Sequence, residues 1–191
     1  YRKSFAYQLA DSDEEFISQR MVGKFLRGKS ANEQIFLNLF ADSEKRIDGQ
    51  IVPRRMSWIS KYLMQRTDIQ KIREKRRENW YLLHQSLEKY DLRNLLIPVY
   101  ESLETNEVPL GYPILIKNGL RDELRRYLAS KRIYCPIHWI VDERIVNSSE
   151  NIDVERIMSS SILTLVIDQR VTMEMLAYMV ETINTFAKEK A

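Results

Sequence analysis

Two histidines, one cysteine and five glycines bound the chemistry open to this chain. The glycines stand at 23, 28, 49, 111 and 119, and none falls into GxGxxG or GxxxxGK[ST], so no phosphate-cradling loop of those kinds is present. Zinc-type spacing would need more His and Cys than the chain has, and a single cysteine excludes an internal disulfide. A lone Ser or Cys nucleophile would need an oriented base beside it. His84 lies in a strongly helical stretch and reads as an ordinary helix residue, which leaves His138. A different kind of signal is "ILTLVIDQRVTMEM", where an apolar run ends abruptly in Asp168-Gln169-Arg170 before a helical pattern opens at Thr172. Charges are costly to bury unpaired, so the trio marks either a surface exit or a contact made for a partner.

The composition limits the partners. In 191 residues, 44% are hydrophobic and 30% charged, ordinary values for a packed, soluble domain or a domain with an appendage. The net charge of +3 is nearly balanced, so it demands neither nucleic acid nor an anionic membrane. No apolar run approaches the roughly 20 residues of a membrane span, and the charged start does not resemble a signal peptide. Lone-cysteine usage fits a reducing compartment, and a cytoplasmic location is expected.

Positioning falls to a helical part followed by a mixed one. Ser12-x-x-Glu15 and Ser30-x-x-Glu33 have capping-box form, each followed by apolar residues at helical spacing. A short helix is expected over about 58–64. Thr67-x-x-Gln70 opens the longest helix, to about Tyr90, with Ile69, Ile72, Arg76, Trp80, Leu83 and Leu87 at three- and four-residue steps. Its opposite face, "KIREKRREN", is basic and reads as solvated, with Glu74 and Glu78 as i,i+4 partners. Beyond Asp91 short apolar runs predict strands at 95–100, 112–117, 133–140 and 162–168 in one sheet. Helices are predicted near 119–130, capped by Asn118, and 172–187. The expected class is α+β, a small, mostly antiparallel sheet with covering helices preceded by a helical segment. The expected division is a helical segment at 1–66 and a small α+β domain at 67–191 led by the long helix.

Three stretches in this order carry a resemblance: "PRRMSWISKYLMQRTDIQKIREKRRENWYLLHQSL", "YPILIKNGLRDELRRYLASKRIYCPIHW" and "ILTLVIDQRVTMEMLAYMVETI". Together they resemble the C-terminal portion of DegT-like, fold-type I pyridoxal-phosphate-dependent aminotransferases, the sugar-aminotransferase branch, over roughly residues 50 to 187. The resemblance implies a homodimer whose large cofactor-binding domain is almost wholly missing from this chain. It implies a parent enzyme moving an amino group from a donor such as glutamate to a keto sugar nucleotide. It also implies that Asp168-Gln169-Arg170 is structural, with Asp168 satisfying backbone N–H groups and Arg170 pairing with an acid.

The resemblance nominates site residues too. Lys3, in "YRKSF", occupies the position that could match the Schiff-base lysine, although the glycines that follow it in the family are absent here. Arg55-Met56 matches a cofactor-phosphate motif, but Pro53 stands where the family's Asn would fall, and proline brings no polar side chain. Arg55 then either reaches an anionic cofactor or nucleotide or makes a structural ion pair. His138 and Trp139 would face the cleft as sugar contacts, indole faces suiting apolar sugar faces, or would be a plain core pair. Phe36, Phe40, Trp58, Tyr62 and Met64 exceed what two short helices can bury and are expected to form an interface. The competing reading is a non-catalytic interaction module using the basic 71–79 face.

Overall fold

The computed structural model describes residues 9–29, 32–49, 52–138, 140–141 and 153–190. Two compact units emerge, Tyr1–Thr67 and Asp68–Ala191.

The first unit is helical. Its elements are α1 (Glu14–Gly28), α2 (Glu33–Asp48) and α3 (Trp58–Arg66). Gly23 is where α1 meets α2: a Cβ there would lie 2.6 Å from Phe40 Cε1, closer than real carbons approach, so only glycine lets the helices come this near. Arg46 of α2 clamps Asp13 (2.7 Å) and Glu15 (2.7 Å) at the start of α1. Phe36 is buried and Phe40 half-buried, so both belong to this small core and not to an open surface. Helix α3 buries none of its residues, and Trp58, Tyr62, Leu63 and Met64 face solvent.

The second unit begins with α4 (Ile69–Glu88) and continues β1 (Leu96–Pro98), β2 (Tyr112–Ile116), α5 (Arg121–Ser130), α6 (Asp153–Ser161), β3 (Ile162–Leu165) and α7 (Met173–Glu189). The described residues thus hold seven helices and one antiparallel sheet of order β1-β2-β3, and the fold is α+β. The register pairs Leu96 with Ile116, Tyr112 with Leu165 and Ile114 with Leu163, which puts all six on one buried face. Trp80, Leu83 and Leu87 of α4, Leu124 and Leu128 of α5, and Leu176, Val180 and Ile183 of α7 complete that core. Three strands this short cannot stand alone, and the helices supply the missing cover.

The 133–140 stretch departs from expectation. Its described part is not a strand; it runs beside β3 with one backbone bond, Thr164 N–H to the Pro136 carbonyl at 3.0 Å. Pro136 has no N–H to return, so a ladder cannot continue there. Cap positions also shift by a residue. Asp13 accepts from Phe16 N–H and Asp68 from Lys71 N–H, displacing Ser12 and Thr67, because the carboxylate one residue later reaches the open turn. Asn118 does not cap α5; it takes φ +57° and Gly119 φ +68°, a left-handed pair that turns the chain from β2 into the helix.

Candidate functional site

A cleft of about 490 Å³ opens in the second unit. Trp80 forms part of its wall, Pro113, Ile162 and Thr164 come from β2 and β3, and the 99–111 loop and Met158 of α6 contribute apolar groups. His138 lies on this lining, half-buried. Size and character match small-molecule sites, concave and apolar with a few polar groups.

The loop that walls the cleft is held by α4. Arg77 Nη1 donates to the Glu104 carbonyl (2.7 Å) and the Glu107 carbonyl (2.5 Å), and Arg76 Nη1 donates to the Pro109 carbonyl (3.2 Å). Glu107 Oε2 accepts from Glu104 N–H at 2.8 Å and closes the turn. Two of the arginines in the basic stretch are therefore engaged in architecture, and Lys75 pairs with Glu78 at 2.7 Å. That occupies donors that an interaction face at 71–79 would need, although the two guanidiniums keep their charge. Gly111, where the loop enters β2, leaves no room for a side chain: its Cβ would sit 2.3 Å from Thr164 Cγ2.

Sequence reasoning missed Asn79. Its fully buried amide, Nδ2, donates to the carbonyls of Ile167 (3.3 Å), Asp168 (3.0 Å) and Val171 (3.2 Å), tying the turn after β3 to the long helix. Within the turn, Asp168 accepts from Arg170 N–H at 2.8 Å and pairs with its guanidinium at 2.5 Å, while Gln169 Oε1 accepts from Arg76 Nε at 3.2 Å. Asp168 and Arg170 thus pair with each other inside the turn, and Gln169 ties it to α4. The Arg170 guanidinium, ahead of the opposing effect of burial, holds the Asp168 carboxyl below the usual carboxylate range. The folded chain thus binds that proton less tightly than the unfolded chain, so the stabilisation is complete above the unfolded value and is lost as pH falls through the folded one. Asp168→Asn is expected to cost about 1 kcal/mol near neutral pH, given that Arg170 is largely exposed, and progressively less as pH falls and the folded carboxyl takes up its proton. Urea midpoints of both proteins across pH measure this.

His84 proves to be more than an ordinary helix residue. Its Nδ1 lies 2.7 Å from the Tyr112 hydroxyl, and its ring stacks on Trp80 with centroids 4.9 Å apart. Burial, followed by the charge of Glu88, pushes the Tyr112 hydroxyl upward, so it stays protonated. Burial also pushes the Cys135 thiol up to about 12, which leaves it neutral and a poor nucleophile.

Lys3 and Trp139 lie outside the described residues. Arg55 is mostly exposed, 3.9 Å from Asp11, with its N–H on the Ala10 carbonyl at 2.8 Å. A pyridoxal phosphate site needs phosphate donors, a partner for the ring nitrogen and an aromatic or apolar face for the ring. Around Arg55 the described contacts supply a carboxylate instead, so this chain's described residues do not by themselves form that pocket.

No family model and no curated protein matches the chain. Among solved structures, "Putative sugar aminotransferase Spr1654 from Streptococcus pneumoniae, PLP-form" has a similar fold, with a TM-score of 0.51 at 12% identity. The match covers 84% of this chain, which spans 37% of the length of that structure. At this identity the relationship to sugar aminotransferases is one of fold. Among the described residues, no helix is long and apolar enough to cross a membrane.

Proposed function

We propose that this chain is the C-terminal part of a pyridoxal-phosphate-dependent, DegT-like aminotransferase acting on a keto sugar nucleotide in polysaccharide or sugar biosynthesis, with an amino donor such as glutamate. The observation that carries the reading is the fold match over 84% of the chain to a structure titled as a sugar aminotransferase in its PLP form. The three ordered sequence stretches support it independently. Pyridoxal phosphate, when bound in the whole enzyme, supplies the electron sink. Lys3 is the proposed attachment lysine, Arg55 the proposed contact to an anionic group, and His138 with Trp139 the proposed sugar contacts. The 191-residue chain alone is proposed to be inactive, because amino transfer depends on a cofactor oriented by groups from the large domain. A cytoplasmic site of action is part of the same reading. The test uses the longer protein that contains this chain, given ¹⁵N-glutamate and a keto sugar nucleotide. Transfer of the label to the sugar supports the reading; an intact protein that transfers nothing to any keto sugar nucleotide counts against it.

The parent is further proposed to be a homodimer. Trp58, Leu63 and Met64 are exposed on a helix that buries nothing, and exposed apolar patches of a few hundred Å² normally mark interfaces. A nine-residue helix is also too short to be stable alone in water. Sedimentation equilibrium of this chain is expected to show concentration-dependent dimers. Trp58→Asp and Met64→Asp are expected to abolish them with helical circular dichroism retained. A wild-type chain that stays monomeric at high concentration would show that this face is not the interface.

A further inference from the structure

Residues 100–110 wall the cleft yet meet the rest of the second unit at few points. More than half of the lining residues come from 99–111. Along 100–110 only Leu103 and Pro109 are half-buried, and Leu103 packs against the core. Among the described residues, every hydrogen bond between 100–110 and the rest of the chain is donated by Arg76 or Arg77. The two ends are held differently. Val99 N–H donates to the Pro113 carbonyl at 3.0 Å, and Gly111 lies too close to Thr164 to carry a side chain. The tip closes on itself: Glu107 N–H donates to the Glu104 carbonyl at 3.2 Å, and Glu104 N–H to the Glu107 carboxylate at 2.8 Å. That turn presents both carbonyls to one nitrogen, Arg77 Nη1. Arg76 Nη1 reaches the Pro109 carbonyl at 3.2 Å and the Leu110 carbonyl at 3.4 Å, while its Nε donates to Gln169.

We propose that residues 100–110 form a strap latched beside the cleft by Arg76 and Arg77. When those bonds break, the strap swings off the cleft as one piece, with Val99 and Gly111 as its fixed ends and the rest of the unit still folded. A segment with one apolar anchor on the core and no ladder bonds belongs to the low-stability end of a structure, where lids and binding loops are found. Each latch bond has a charged donor and is stronger than a neutral one, but water competes for both partners at this exposed position. Such bonds hold a segment in place and break without unfolding what lies beneath. The tip keeps its shape as it moves, because its own two bonds close it. Arg76 adds a link: Gln169 orients its guanidinium from the turn after β3, so that turn and the strap share one donor. The closed strap walls in Met158, Ile162 and Thr164 on the cleft lining, and the open strap uncovers them. This device does not depend on which ligand the cleft takes.

Leu103→Cys in the 191-residue chain tests it, with the buried Cys135 reporting any opening of the core. Both thiols are pulsed with iodoacetamide and read by peptide mass spectrometry. The introduced thiol is expected to react at least about tenfold faster than Cys135, because lifting the strap stops short of opening the core. Adding Arg77→Ala is expected to speed the introduced thiol by a further factor of about ten and to leave Cys135 unchanged. Gln169→Ala, which removes no bond to the strap itself, is expected to speed it roughly threefold by freeing Arg76. Leu103→Cys trims the strap's own anchor, so a second measurement keeps Leu103. Cleavage after Glu104 and Glu107 by a glutamate-specific protease is expected to quicken at least about fivefold in Arg77→Ala. An introduced thiol that reacts no faster than Cys135 overturns the proposal. So does an Arg77→Ala effect that is equal at both thiols, which would make Arg77 a support of the whole unit, and so does the absence of any Arg77→Ala effect on labelling or cleavage.

Discussion

Trp80→Ala is expected to destabilise the second unit by about 4 kcal/mol, within the range for large aromatic truncations in a core. The indole is 1% exposed and sits where three structural tasks meet. Its ring is 5.4 Å from Tyr112 on the central strand, 4.9 Å from His84 in a near-parallel stack, and 5.2 Å edge-on from Tyr81. Removing it opens a void between α4 and the sheet, strips the cleft of part of its wall, and frees His84 from the stack that helps to aim it at the Tyr112 hydroxyl. The surroundings cannot close over a space of that size, because β2 is pinned in register on both sides. Trp80→Phe keeps most of the apolar area and should cost less than half as much. Urea unfolding followed by circular dichroism measures both variants. A loss below about 1.5 kcal/mol for the alanine variant would mean that the core is held by something other than this packing.

Asn79→Ala, one residue earlier, is expected to cost about 3 kcal/mol by a different route. Nothing large is removed. What goes is one buried amide that serves three carbonyls, those of Ile167, Asp168 and Val171, and the backbone oxygens left behind lose their donor. Asn79→Asp should be worse at neutral pH, since it points a carboxylate at carbonyl oxygens. The turn that Asn79 holds leads directly into α7, whose Thr172 cap accepts from Met175 N–H at 3.3 Å, so amide exchange should quicken first in residues 166–175. Because the two positions are adjacent, the double substitution will not be additive. Exchange that rises evenly through the unit would show that the turn has no special dependence on Asn79.

Much of this fold could be read from residue patterns, and the misses have physical causes. The stripe from Ile72 to Leu87 placed α4, since a three- and four-residue period survives any tertiary detail. The runs "YPILI" and "ILTL" placed two strands because their alternation and apolar content leave little else. The caps at Asp13 and Asp68 were missed by one residue, as two adjacent residues able to cap compete and only local geometry decides between them. The 133–140 stretch reads as a strand by composition, yet a single proline without an N–H keeps it from joining the sheet. The site was harder to see. Asn79 is one amide inside a basic stretch, and its partners lie about 90 residues away, so no periodic signal announces it. His84 gives no sign of Tyr112, and the 99–111 loop takes its shape from Arg76 and Arg77, which look solvated in the sequence. His138 stands out in the sequence as one of only two histidines, but the cleft it lines forms only in three dimensions.

The most direct test of the central claim, that this chain completes a pyridoxal phosphate enzyme, is chemical. The longer protein containing the chain is saturated with pyridoxal phosphate, reduced with borohydride, dialysed and digested, and its peptides are weighed. The account predicts one pyridoxyl group per chain, on the peptide carrying Lys3, and only scattered substoichiometric labelling when the 191-residue chain is treated alone. Stoichiometric labelling at another lysine would remove Lys3 from its proposed role, and an intact protein with no stoichiometric label at all would contradict the account.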